Sequence, residues 1–82
     1  MMERYKGYWI TGSAVPGPPY TRYWETLGTV LKDGRSGSIV EVARFRDNAI
    51  RFDHDVPGFA EFYGMELGRI FVDHCLPQPV VK

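Results

Sequence analysis

The stretch Pro57-Gly58-Phe59-Ala60-Glu61-Phe62-Tyr63-Gly64-Met65-Glu66-Leu67-Gly68-Arg69-Ile70-Phe71-Val72-Asp73-His74-Cys75 decides the fold. It has no interior proline and is long enough for about five helical turns. Asp55 is a candidate N-cap, Pro57 suits the first helical turn, and Pro77 enforces a stop. Stepping by about 100° per residue gathers Phe59, Ala60, Tyr63, Gly64, Leu67, Gly68, Ile70, Phe71, His74 and Cys75 on one half of the wheel. Glu61, Glu66, Arg69 and Asp73 fall on the other half. The pattern predicts one helix with its apolar half laid on a second layer. Gly64 and Gly68 each cost up to about 1 kcal/mol of helix propensity relative to alanine. Together with Ala60 they form a small-residue stripe, on which aromatic side chains of a sheet are expected to press.

A second apolar stripe runs along the nominally polar half. Phe62, Met65, Arg69, Val72 and Leu76 follow a 3-4-3-4 spacing, which is the seam of a coiled-coil-like contact interrupted by Arg69. A surface helix needs only one apolar stripe. This second one predicts a cover, supplied by the proline-rich loop, by the tail around Val80-Val81, or by another molecule.

Upstream of the helix the period changes from 3.6 to 2. Lys6 to Ala14 is rich in β-formers, with Tyr8 and Ile10 on one side and Trp9 and Thr11 on the other. The stiff segment Val15-Pro16-Gly17-Pro18-Pro19-Tyr20 reads as a loop. A second strand is expected over Arg22 to Lys32, with Trp24, Thr26, Gly28 and Val30 sharing a face. Asp33-Gly34-Arg35-Ser36-Gly37 reads as a hairpin turn. A third strand over Ser38 to Arg46, a two-residue turn at Asp47-Asn48 and a short fourth strand from Ala49 to His54 complete the sheet. That turn would set Phe45 opposite Ile50, Ala43 opposite Phe52 and Glu41 opposite His54 on the core side. Arg44 opposite Arg51 and Val42 opposite Asp53 would face solvent. The fold class is therefore α+β: a three- or four-stranded antiparallel sheet followed by one C-terminal helix packed on one face.

Eighty-two residues suit a single domain spanning 1–82, with 78–82 expected to be a disordered tail. Apolar residues make up 44% of the chain, which is enough for a packed core and too many for a disordered chain. Ten basic and ten acidic side chains cancel, so no overall basic excess draws the chain to nucleic acid or to an anionic membrane. Cys75 has no intramolecular disulfide partner, and the first residues lack a signal-peptide core. A cytoplasmic location is the expectation.

Two segments resemble a known pattern. Tyr5-Lys6-Gly7-Tyr8-Trp9-Ile10 and Leu67-Gly68-Arg69-Ile70-Phe71-Val72-Asp73 resemble the ends of small stand-alone bacterial proteins of unassigned activity. These open on a Tyr-Lys/Arg-Gly-aromatic-x-Ile strand and close on a helix bearing Gly-Arg-x-x-Ile/Val-Asp. The resemblance implies a sheet-then-helix fold and no substrate, cofactor or catalytic residue. The proline-rich loop departs from the pattern.

Asp53-His54-Asp55 and Asp73-His74-Cys75 contain metal-ligand residue types, but a zinc site needs three or four side chains converging on one point. His74 and Cys75 diverge by about 100° on a helix, and Cys75 lies near the C-terminal end, the wrong end for a thiolate nucleophile. Asp55 as helix cap, and His54 paired with Glu41, account for the first cluster. No phosphate loop, nucleophile elbow or HExxH occurs. We expect no enzyme activity, no cofactor and no metal.

Two functional expectations follow. The first is a non-catalytic protein-interaction module, with an unidentified protein partner or a second copy meeting Phe62, Met65, Arg69 and Val72 on the outer helix face. The second is a nucleic-acid-binding module, with Arg44, Arg46 and Arg51 on a sheet face beside exposed aromatics. No membrane association is expected.

Overall fold

The computed structural model describes residues 1–19 and 21–77. The tail expectation for 78–82 lies outside the described residues. Four strands, β1 (Met2–Tyr5), β2 (Tyr8–Pro16), β3 (Tyr23–Asp33) and β4 (Ile39–Asp53), form an antiparallel meander in the order β1-β2-β3-β4. The one α-helix among the described residues, α1 (Pro57–Cys75), follows and lies on one face of the sheet. The sheet-then-helix α+β fold is as the sequence predicts, and the helix starts and stops at the residues its prolines indicate.

Two strand assignments change. The chain opens with β1, which hairpins onto β2 through Lys6 and Gly7. Both turn residues adopt positive φ, 50° and 87°, matching the right-handed twist of the strands they join. Lysine is an unusual residue for such a turn, so the sequence pattern runs through it unbroken. The second change concerns Asp47-Asn48, which does not turn. β4 continues past it, and Phe52 and Asp53 pair with Trp24 and Tyr23. The expected pairings of Phe45 with Ile50, Glu41 with His54 and Arg44 with Arg51 are therefore not formed. The Asp47 carboxylate accepts the Ala49 N–H at 2.9 Å, as it would in a turn, but here it anchors a bulge between the Thr26–Asp47 and Trp24–Phe52 pairs. The eleven residues of β3 offer a longer edge than the six-residue hairpin strand Ala49 to His54 would have had.

The helix meets the sheet at glycines. Gly12 and Gly28 are cross-strand partners under α1, and Gly64 lies directly above them. A methyl group on Gly64 would stand 2.8 Å from the Leu27 carbonyl oxygen and 3.1 Å from the Gly12 Cα. The buried Thr26 hydroxyl donates to the Ala60 carbonyl at the same crossing. Small residues do form the contact stripe, but sheet glycines press on it where aromatics were expected. The aromatics flank the crossing, with Phe45 5.1 Å from Phe71 and Phe52 5.8 Å from Tyr63 between ring centroids.

Seating the glycines sets the roll of the helix. Its buried residues are Ala60, Gly64, Met65, Gly68 and Val72. The buried face lies roughly a quarter turn from the expected one. Met65 and Val72 enter the core with Ile10 and Val30, while Phe59, Ile70, His74 and Cys75 are exposed. The helix start also differs. Val56 is the N-cap and offers no side-chain acceptor, whereas Asp55 pairs with His54.

The two segments carrying the resemblance meet in space. Ile10 packs on Gly68, and Arg69 pairs with Glu3 and Glu66. Lys6 Nζ lies 2.6 Å from Asp73, and the Tyr5 hydroxyl donates to the same carboxylate at 2.9 Å. These residues clasp the first hairpin to the last turns of α1. Hydrogen bonds from Lys6 and then Tyr5 hold the Asp73 carboxyl below its usual range. The bond to Asp73 raises Lys6 above its own. The Asp73 contribution is present above the ordinary carboxylate pKa and is lost as pH falls through the depressed value. The Lys6 contribution is present below the ordinary lysine pKa and is lost as pH rises through the raised one. The clasp is therefore closed across neutral pH. We expect the Lys6 and Gly7 amide resonances to shift in acid with a midpoint below 3.8, and the shift to vanish in Asp73→Asn. A midpoint at or above the ordinary value would show that the clasp is open in solution.

Candidate interaction surface

The roll that buries the glycines turns three large apolar side chains outward. Phe59 is 63% exposed, and Phe62 and Ile70 are each 55% exposed. They lie along one side of α1, with Glu66 between them. At the N-terminal end of the helix, Phe59 and Phe62 line an open hollow of about 540 Å³ together with Met1, Val56 and Pro57. Backbone pairing places Met1 there, because its amine donates to the Gly12 carbonyl at 3.2 Å and its own carbonyl accepts the Gly12 N–H at 2.9 Å. The amine also lies 3.8 Å from Glu61. The Met1 side of the hollow is thus held by its backbone bonds to β2, and the Phe59 and Phe62 side by the helix.

The expected seam is divided by this geometry. Of Phe62, Met65, Arg69 and Val72, only Phe62 faces outward as an apolar group. Met65 is 1% exposed and Val72 is fully buried. Arg69 is half-buried and engaged by Glu3 and Glu66, and the bond to Glu3 raises its pKa further. The helical wheel puts Phe59 and Ile70 on its bulkier, supposedly buried half, so spacing alone does not single them out. The signal that would have found them is the glycine set itself. With Gly12 and Gly28 matched to Gly64 and Gly68, the opposite side of the wheel is that of Phe59, Glu66 and Ile70.

The second face of the sheet has no layer over it among the described residues. On it the Arg4 guanidinium stacks 4.4 Å from the Trp9 ring, and Asp33 accepts from both, Arg4 at 2.9 Å and the Trp9 indole N–H at 3.1 Å. The indole and then Arg4 hold the Asp33 carboxyl below its usual range. Arg44 pairs with Glu41 at 2.8 Å. Arg46 pairs at 3.0 Å with Glu25, whose carboxylate is buried beneath it. Arg51, in the bulge, stacks 4.6 Å from the Tyr23 ring. The predicted trio Arg44, Arg46 and Arg51 does share this face, but carboxylates neutralise Arg44 and Arg46.

Asp53, His54 and Asp55 present ligand atoms within 4.8 Å of one another, and all three are exposed. Both imidazole nitrogens face carboxylates, Nδ1 toward Asp53 at 3.1 Å and Nε2 toward Asp55 at 2.9 Å. The expected partner Glu41 is instead engaged by Arg44. His74 and Cys75 are exposed at the far end of α1 and do not join this cluster. No described helix is long and apolar enough to cross a membrane.

Comparison with protein families, curated proteins and solved structures finds no match to this chain.

Proposed function

We propose that this chain is a non-catalytic protein-interaction module that offers the hollow at the start of α1 to an apolar segment of a partner protein. The observation carrying this reading is the pair Phe59 and Phe62, each more than half exposed on a rigid helix and facing Met1 across a concave surface. Aromatic side chains beside a groove are the usual anchors of protein contacts. Burying what remains exposed of the two would contribute roughly 1–2 kcal/mol each. The sheet face supports nucleic-acid binding less well, because Arg4, Arg44 and Arg46 are each paired with a carboxylate on it and only Arg51 of the predicted trio is not.

The test is capture from host extract by wild-type protein, by Phe59→Ser/Phe62→Ser and by Arg51→Ala as a control. Proteins retained by wild type and Arg51→Ala, and lost with the double variant, are the expected result. An unchanged captured set, with the double variant still folded by circular dichroism, would end this reading.

A further inference from the structure

β4 is the longest strand, with fifteen residues, and it pairs only with β3 among the described residues. Its outer edge is therefore an unused row of backbone donors and acceptors, which is a template for another strand. The opposite outer strand, β1, has only four residues.

The register with β3 assigns a face to each residue of β4. Ile39, Glu41, Arg44 and Arg46 oppose Asp33, Leu31, Thr29 and Leu27, so they lie on the open face. Val40, Ala43 and Phe45 oppose Lys32, Val30 and Gly28, so they lie on the helix face. A bulge inserts Val42, which packs against the core beside Ala43. From Ile39 to Arg46 the faces read open, helix, open, helix, helix, open, helix, open. This order is the same in both directions. A strictly alternating strand cannot have that symmetry about a point between two residues, because reversal would exchange its faces. The bulge creates it.

We propose that β4 pairs antiparallel with β4 of a second copy, about a two-fold axis between Val42 and Ala43. Two four-stranded sheets then join into one of eight strands, with both helices on the same side. In this register Ile39 lies opposite Arg46 of the second copy, Val40 opposite Phe45, Glu41 opposite Arg44 and Val42 opposite Ala43. Every pair joins like faces. Glu41 and Arg44 form two opposite-charge cross-strand pairs by symmetry. Val40, 44% exposed in the single chain, is covered by a phenylalanine. This self-complementarity of face and charge selects a second copy as the occupant. The surface is separate from the α1 hollow, so the two readings stand or fall independently.

Sedimentation equilibrium of the full chain over a concentration series tests the pairing. Wild type should dimerise. Glu41→Arg should weaken the dimer roughly tenfold or more, because two cross-strand attractions become repulsions. Its intrastrand pair with Arg44 is exposed, so the fold should persist. The double variant Glu41→Arg/Arg44→Glu should restore dimerisation to near the wild-type level. In a Cys75→Ser background, a mixture of Glu41→Cys and Arg44→Cys chains should crosslink on mild oxidation, since directly opposed residues lie at roughly disulfide distance. Glu41→Cys alone should not, because its copies are offset by about 7 Å along the strand, the bulge leaving Glu41 and Arg44 two β3 residues apart, and the added gap between strands takes their Cα atoms beyond disulfide reach. A monomer at every concentration overturns the proposal. So does a dimer indifferent to Glu41→Arg, a folded double variant that remains monomeric, or crosslinking of Glu41→Cys with itself in place of the mixture.

Discussion

Gly28→Ala is expected to cost about 3 kcal/mol or more, and Gly12→Ala at least as much. Gly12 and Gly28 are opposed on β2 and β3, and the added methyl groups would drive into the backbone of α1 at Glu61 and Gly64. On Gly12 the methyl would also stand 2.9 Å from both the Glu61 carbonyl carbon and Met65 Cγ. A flexible side chain can move aside, but a helical carbonyl moves only with its helix. Lifting α1 would break the Thr26–Ala60 hydrogen bond and open the core at Ile10, Val30, Met65 and Val72. A domain of this size has roughly 4–12 kcal/mol of total stability, so either substitution alone can approach the unfolding threshold. Gly58→Ala is the control. It lies in the first helical turn with nothing near its missing methyl, and should raise stability by a few tenths to about 1 kcal/mol. Urea unfolding of the three variants measures this contrast. A Gly28→Ala midpoint equal to wild type would mean that α1 does not cross the sheet where described.

Met65→Asp should unfold the protein, whereas Phe62→Asp should leave it folded. The two residues are neighbours in the seam read from spacing, yet one is 1% and the other 55% exposed. An aspartate at 65 would place a carboxylate among Ile10, Val30 and Val72, and burying an unpaired charge costs several kcal/mol. Even Met65→Ala should cost roughly 2–5 kcal/mol through lost burial and the cavity left behind. At Phe62, outside the core, truncation to alanine should stay within about 0.5 kcal/mol. Thermal unfolding followed by far-UV circular dichroism separates the two. Equal melting temperatures for Met65→Ala and Phe62→Ala would refute the described roll of the helix.

The helix roll is the one feature of α1 that its own residues do not encode locally. The bounds of α1 were legible because Pro57 and Pro77 act locally, through their own missing N–H groups and rings. The faces of β2 and β3 were legible because alternation is also local. The helix roll was not, because a helical wheel weighs side-chain bulk while the contact here is set by backbone approach. Gly12 and Gly28 are sixteen residues apart in sequence, and only strand register makes them one surface with Gly64. The bulge at Asp47-Asn48 is hidden for a related reason. The Asp47 side chain makes a turn-like hydrogen bond in either geometry, and the choice between hairpin and bulge rests on whether β3 reaches Phe52. Of the interaction residues, Phe62 could be found from the sequence because both rolls leave it outside. Phe59 and Ile70 could not.

The clasp has a consequence for the order in which the protein is made. Tyr5 and Lys6 meet Asp73, and Glu3 meets Arg69, across nearly the whole length of the chain. Ile10 and Val30 are translated long before the helix that shields them. A nascent chain halted before Gly64 would carry a sheet with bare glycines, an uncovered apolar face and open edges, the kind of intermediate that aggregates. Folding must therefore wait until α1 has been made, and a chain truncated within α1 would leave the ribosome as a substrate for chaperones or proteases.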